Sequence, residues 1–385
     1  MSIWITWLAF SLLVHHYLIY PAAVILLAHM RSRDADGFSA LPLRLLRVSL
    51  IVAAYNEEKV IGHKIENSLA IDYPPELMEV IVVSDGSSDS TPSIVAQYAN
   101  RRVVSIHESA RRGKTAALNR GVPVAKGEIV LFSDANNDFN PGAVRALVRN
   151  FADPTVGGVC GIKRIREHEE RDSSEGDSLY WRYESAIKLA ESRLGTITNG
   201  DGEIFAIRRA LYEPMDESVI NDDAELTLQL VQKGYRVLYE PGAQSHEFAS
   251  IEIADDFFVK VRMVAGGFQT VMRHAGFLLP PRNWFSFAFF SHKILRWTSP
   301  LWLVALLIAN MFASLSGNHF YETLLAMQFV FYVLAIAGWA ARVRSTLPTI
   351  FYVPFYFCTM NIAAFFGMLR FLRRTQQVQW RKAKR

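Results

Sequence analysis

Acidic side chains recur in this chain directly after short β-branched runs, where a strand delivers its next residues to the rim of a sheet. Val48 to Ala54 is followed by Tyr55, Asn56, Glu57 and Glu58, Glu79 to Ser84 by Asp85, Gly86 and Asp89, and Glu128 to Ser133 by Asp134, Ala135 and Asn136. Ligands of open α/β sheets bind beyond the carboxyl ends of the strands. Carboxylates converging there make a poor phosphate site unless a cation lies between. Lys114 and the Arg111-Arg112 pair are of the type that neutralises a diphosphate, although a solvated basic loop explains the arginines equally well. A further acidic pair, Asp222-Asp223, opens a helical stretch running through Leu230. Acids favour the helix dipole there, and adjacency raises the pKa of one carboxyl.

Familiar nucleotide fingerprints are missing. No GxGxxG follows any of these runs, and Gly113-Lys114-Thr115 has Glu108 where a P-loop requires its first glycine. The residues therefore point to a nucleotide bound through carboxylates at strand ends, with a divalent metal between protein and diphosphate. The apolar runs, with another at Val103 to Ile106, alternate with helical stretches at Glu58 to Ala70, Thr91 to Asn100, Thr115 to Val122 and Pro141 to Phe151. Such alternation predicts an α/β domain on a mostly parallel, helix-covered sheet.

Composition places that domain beside a membrane. Of 385 residues 51% are hydrophobic and 20% charged, against about a quarter charged in average soluble domains. Disorder, collagen-like repeats and disulfide scaffolds are excluded, and Cys160 and Cys358 lie too far apart in sequence and setting for a disulfide framework or a thiolate metal site. Residues 1–30 hold no Lys, Arg, Asp or Glu, and Ile3 to Met30 exceeds the roughly 20 residues a spanning helix needs. A cleavable signal peptide fits poorly, since no basic region precedes the run. Three more uncharged runs follow at Trp297 to Tyr321, Thr323 to Ala341 and Ser345 to Leu369.

The organisation expected is a span at 1–30, a polar domain at 31–275, an interfacial amphipathic segment at 276–297, membrane helices at 298–372 and a basic tail at 373–385. The interfacial segment mixes Trp284, Phe285, Phe287, Phe289 and Phe290 with His292, Lys293 and Arg296. Arg31, Arg33, Arg44 and Arg47 place the polar domain in the cytoplasm, on a multi-pass plasma (inner) membrane protein. The net charge of +4, concentrated beside the apolar runs, speaks for topology and against a nucleic-acid partner. Parity then conflicts, because three C-terminal spans carry the tail outside whereas Arg370, Arg373, Arg374, Arg381, Lys382, Lys384 and Arg385 favour the inside. Either the last run bends back near Pro354 or another run fails to cross. His15 and His16, inside the first span, read as neutral imidazoles in a helix contact, the alternative being a functional pair.

Five stretches occur in a telling order: Ile51 to Glu57 (IVAAYNE), Val83 to Thr91 (VSDGSSDST), Gly113 to Asn119 (GKTAALN), Phe132 to Asn136 (FSDAN) and Asn221 to Leu226 (NDDAEL). They resemble the motifs of membrane-embedded family-2 inverting glycosyltransferases with a GT-A fold, the group of the cellulose, hyaluronan and chitin-oligosaccharide synthases. The resemblance covers roughly residues 48–270. It implies a nucleotide pocket of Tyr55, Glu57 and Asp85, with Asp85 accepting from the base, Lys114 and Asp134 toward the diphosphate, and Asp89 left to cap the next helix. Where the family has Asp-x-Asp, Asp134 and Asn136 are implied to hold Mg²⁺ or Mn²⁺. Asp223 falls on the general base, with Asp222 serving its helix at the diphosphate or acceptor side.

Gly200-Asp201-Gly202, ahead of a strand at Glu203 to Ile207, is a candidate for the acceptor side, and His246 and Glu247 are candidates for holding a metal or supporting the residues that do. Arg262 is the surviving member of the Gln-x-x-Arg-Trp motif of processive relatives, with Val259 and Met263 at its ends, and is implied to meet diphosphate or acceptor. Losing the tryptophan removes a stacking surface for an acceptor sugar. The partners implied are a nucleotide sugar, UDP-linked, a glycan or lipid-linked acceptor and the lipid bilayer; export partners are not legible. Competing readings are a transferase placing one sugar on a polyprenyl phosphate and, outside enzymes, a membrane sensor of nucleotide sugars or a transporter. Asp85, Asp134 and Asp223 speak against the last two, since a transporter needs no base and a sensor no metal.

Overall fold

The computed structural model describes residues 1–31, 45–166, 175–248, 253–341 and 348–378. Arg33, Arg44, Arg381, Lys382, Lys384 and Arg385 fall outside them. Eight strands form one sheet: β1 (Val48–Ala54), β2 (Met78–Asp85), β3 (Val103–Glu108), β4 (Ile129–Asp134), β5 (Asp138–Phe139), β6 (Val156–Arg166), β7 (Phe205–Arg208) and β8 (Arg236–Phe248). Their order is β3-β2-β1-β4-β7-β6-β8-β5. β1 pairs in parallel with β2 and β4, and β2 with β3, while β7 runs antiparallel to β4 and β6.

The parallel half follows from its residues. Leu50, Val52, Val80, Val82 and Leu131 face one buried layer with Ile61 and Ile65, whereas Ile51, Ile81, Val83, Val130 and Phe132 face another with Leu118. With both faces covered, these strands are near-continuous apolar runs and not alternating ones. The acidic strand ends emerge at one edge: Ala54 closes β1, Asp85 closes β2 and Asp134 closes β4.

Four helices are long and apolar enough to cross a membrane: Ser2–Arg31, Trp284–Ser314, His319–Ala341 and Thr349–Leu372. The stretch expected to lie in the interface is continuous with the second of these, which opens in a capping box between Asn283 and Ser286. Its basic residues turn inward. His292, fully buried, meets Glu191 at 2.7 Å and Glu184 at 3.2 Å, and Lys293 and Arg296 reach Glu184 at 2.6 and 2.5 Å. From the first helix, Tyr20 donates to Glu191 at 2.8 Å, and His15 and His16 bond Ser291 at 3.0 and 2.8 Å, so both histidines serve a helix contact.

Glu184 and Glu191 belong to the helix Glu175–Leu194, so this buried ionic joint ties the sheet domain to two apolar helices. Removing one member of such a network leaves the others uncompensated, and Glu184→Ala is expected to cost about 3–5 kcal/mol. A lowered Tm in detergent checks it. Glu66→Ala, which breaks an exposed pair with Arg101, should leave Tm nearly unchanged.

Candidate active site

The loops after β1 and β2 are stitched together. Asn56 accepts from the Ser88 amide at 2.8 Å and donates its own amide to Ser87 Oγ at 3.0 Å. Asp89 accepts from the Thr91 amide at 3.0 Å at the start of the helix Thr91–Ala96 and from the Glu58 amide at 3.1 Å, but the N-cap residue is Ser90, so Asp89 ties the two loops together from one position before the cap expected of it. Gly86 sits at φ +71, and a Cβ there would lie 2.5 Å from the Arg111 nitrogen, so turn and close approach both require glycine.

That approach lays the Arg111–Gly113 loop over the end of β2. Asp85, 4% exposed, accepts from the Arg112 amide at 3.0 Å and the Gly113 amide at 2.6 Å, and its other oxygen pairs with Arg120. The Arg111 guanidinium lies over the Tyr55 ring, 3.7 Å from its centroid. Glu57, half-buried beside them, donates its amide to Thr91 Oγ1 at 2.8 Å. Arg112 is drawn to Glu217 at 2.5 Å.

At the end of β4, acids gather round one ammonium. Lys114 opens the helix Lys114–Val124, donates to Asp134 Oδ1 at 2.6 Å and to the Gly202 carbonyl at 3.0 Å, and lies 3.6 Å from Asp222. Burial works against its charge, but Asp134 and then Asp222 outweigh burial and hold the ammonium above its ordinary range. Asp223, in the first turn of the helix Asp222–Gln232, accepts from the Ala224 amide at 2.8 Å and from Asn199 Nδ2 at 3.4 Å. Burial pushes its carboxyl up to about 6, Asp222 and Asp201 adding to the rise and Lys114 opposing it. Such a group is ionised at neutral pH yet basic enough to take a proton.

Arg262 reaches the cluster from the helix Ile253–Arg273 and donates to the Ile220 carbonyl at 3.4 Å. Burial lowers its pKa, with Asp222, Asp223 and Asp134 acting the other way. The same helix braces the approach to the acid pair. Gln269 accepts from the Ile220 amide at 3.0 Å and donates to the Ser218 carbonyl at 2.8 Å, while Asn221 donates to the Met263 carbonyl at 2.8 Å. Gly266 and Gly267 permit this packing, since a Cβ would meet Asn221 at 2.4 Å on the first and the Trp297 ring at 2.6 Å on the second.

The donors for a metal are few. Asp134 is 36% exposed, and Asn136 gives its NH₂ to Glu247 at 2.9 Å, which leaves the amide oxygen as the coordinating atom. Among the described residues, no three His, Cys, Asp or Glu side chains are arranged to hold a metal by themselves. One carboxylate and one amide oxygen at a strand end fit a cation of the Mg²⁺ kind, which keeps waters and takes substrate phosphate oxygens.

The structure thus brings Lys114, Asp134, Asp222, Asp223 and Arg262 into one cluster, with Tyr55, Glu57 and Asp85 grouped at the neighbouring loops. Gly200 stands back from it: its amide donates to Thr227 Oγ1 at 3.0 Å and it packs on the Phe205 ring, so Asn199 and Gly202 are the residues of that turn touching the cluster. Sequence reasoning named Asp201 beside Gly200 but missed Asn199, Lys188 and Arg120. Asn199-Gly-Asp-Gly reads as a polar turn, but Lys188 holding Asp201 at 2.7 Å and Arg120 pairing with Asp85 join separate elements that no periodicity connects.

Residues 49–215, which run from β1 through β7 and include Tyr55, Asp85, Lys114 and Asp134, match the family model described as glycosyl transferase family 2. Residues 49–215 form a family 2 glycosyltransferase domain. Over 231 residues the chain is 27% identical to a poly-beta-1,6-N-acetyl-D-glucosamine synthase of Staphylococcus aureus and 26% identical to that of Staphylococcus epidermidis. Each match covers 59% of this chain and 56% of the relative, so the chain spans little more than half the length of these curated relatives. Among solved structures, a mannosyltransferase of Pyrobaculum calidifontis in complex with GDP-Man and Mn²⁺ superposes with a TM-score of 0.70 at 23% identity, over 96% of this chain and 99% of that one. That likeness is one of fold, and it makes the family 2 domain a GT-A fold joined to apolar helices.

Proposed function

We propose that this chain is an inverting glycosyltransferase that takes a sugar from a nucleotide sugar, UDP-linked, and adds it to a glycan or lipid-linked acceptor at the cytoplasmic face of the plasma membrane. Asp223 carries the reading: a proton acceptor with a raised pKa stands in one cluster with the cations that suit a departing diphosphate. The acceptor hydroxyl gives its proton to Asp223 as its oxygen attacks the anomeric carbon. The bond from that carbon to the diphosphate oxygen breaks in the same displacement, which inverts the configuration. Lys114 and Arg262 place positive charge where the diphosphate leaves. Asp134 and Asn136 would hold Mg²⁺ or Mn²⁺, whose chemistry is to neutralise diphosphate charge. Tyr55, Glu57 and the Asp85 loop receive base and ribose.

The test is release of free nucleotide by purified protein across a panel of nucleotide sugars, with Mg²⁺ or Mn²⁺ and an extract of membrane acceptors. Release from none of them would overturn the proposal. Product length is a separate expectation. Met263, 39% exposed, stands where processive relatives carry tryptophan, and Val259 stands for their glutamine. Without a planar π surface the acceptor sugar loses the stacking that would hold it between additions. Reconstituted protein should therefore yield single additions or a ladder of short oligomers, and polymer of high mass at low turnover would contradict this.

A further inference from the structure

Both ends of the last apolar helix lie on the side of the family 2 domain. The first span arrives on that side, where Tyr20, Val24 and Ala28 pack on Ile187 and Ala190, while near its far end Trp7 stacks on Phe320 at 5.4 Å. The second span starts there, with Phe285 and Phe289 packed on Leu228 and Val271, and runs outward until Asn310 donates to Gln328 at 3.1 Å. The third, His319–Ala341, begins beside Trp7 and runs back.

Thr349–Leu372 then passes across all three. Phe351 and Phe355 pack on Gly338, Phe357 meets Phe331 and Tyr17, and Asn361 accepts from Ser299 at 2.5 Å. Further on, Gly367 packs on Val264 and Phe371 stacks on Phe268 at 5.7 Å, both partners lying on the helix that braces the acid pair. The helix closes in a Schellman turn, with Arg374 at φ +54 donating to the Phe371 carbonyl and Thr375 to the Arg370 carbonyl, both at 3.0 Å. Beyond that turn Val378 lies against Gly113, its Cγ1 3.6 Å from where a Cβ would stand.

We infer that Thr349–Leu372 is not a crossing but a strap in the membrane that returns Arg373–Val378 to the domain side, where Val378 acts as a positioning residue for the Arg111–Lys114 loop. Three crossings then put the tail on the side that Arg370, Arg373 and Arg374 favour. Gly113 bonds Asp85 through its amide, and its neighbour Lys114 bonds Asp134, so a side chain standing beside Gly113 bears on a loop that is tied to both ends of the nucleotide site. The nucleotide part of this inference rests on the function proposed above; the topology does not.

The experiment has two arms on the full chain in sealed vesicles. In the first, Gln377→Cys should react with a membrane-impermeant maleimide from the same side as Glu76→Cys on the domain surface and from the side opposite to Ser316→Cys between the second and third spans, with the parent chain as background. Reaction from the side of Ser316→Cys overturns the strap. In the second, Val378→Asp should raise the KM for the nucleotide sugar about tenfold with kcat within about twofold, and Val378→Ile should match the parent. An unchanged KM in Val378→Asp, or a loss confined to kcat, overturns the positioning role. Should the chain transfer no sugar at all, the labelling arm still decides the strap, which keeps that failure apart from failure of the proposed function.

Discussion

Replacing Asp223 by Asn should abolish transfer while the protein stays folded and binds nucleotide. The amide keeps the carboxylate's shape beside Ala224 and Asn199, but it cannot take a proton, and general-base catalysis contributes about 10²–10⁴-fold. A variant that keeps more than about a tenth of wild-type turnover removes Asp223 from the mechanism. The pH profile is a second readout. With the carboxyl at about 6, the wild-type rate should be level above that pH and fall roughly tenfold per unit below it. Stability has the opposite sign from that of an ion-paired carboxylate. The folded chain holds this proton more tightly than the unfolded chain, so stability is lost as pH rises from about 4, the unfolded value, through the folded one. Asp223→Asn escapes that loss and should melt no lower than wild type at alkaline pH.

Excess chelator should stop transfer, and Asp134→Asn should slow it by about 10²-fold or more, the scale seen when one charge or donor aimed at the transition state is removed. The variant should remain folded, because Lys114 retains Asp222 at 3.6 Å and the Gly202 carbonyl at 3.0 Å. Its nucleotide affinity should fall and recover in part at high metal concentration, which a nucleotide titration with and without metal reads directly. Undiminished turnover in chelator would mean that Lys114 and Arg262 carry the diphosphate charge alone.

The half of the sheet that was legible is the half buried on both faces. Val48–Ala54 has its expected bounds, and β2 and β4 differ from expectation by one residue at each end. β6 and β8 escaped because Gly157, Gly158, Gly161, Pro241 and Gly242 punctuate them, and such residues read as turns. In the structure the β6 glycines mark close approaches: a Cβ on Gly157 would meet Tyr235 at 2.7 Å and one on Gly161 the Ala243 carbonyl at 2.6 Å.

The site shows the same division. Lys114, Asp134 and Asp223 stand in ordered local motifs, so they could be named. Asn199, and Lys188 as the partner of Asp201, could not, because what they do depends on a helix and a turn meeting across the fold. His292, Lys293 and Arg296 were legible as basic groups near a membrane, but their partners Glu184 and Glu191 lie about a hundred residues earlier, and a charge pattern read along the chain assigns them to lipid headgroups instead.

That ionic joint bears on how the protein is made. Synthesis runs from the N-terminus, so Glu184 and Glu191 leave the ribosome well before Lys293 and Arg296. Until the later helix arrives, two carboxylates face an apolar neighbour that offers them the Tyr20 hydroxyl but no cation. The later helix carries two cations whose burial without their carboxylate is unfavourable in turn. Neither half is at rest without the other. Docking of Trp284–Ser314 and completion of the sheet domain should thereby be coupled into one cooperative step, so that a finished family 2 domain is one already joined to its apolar helices.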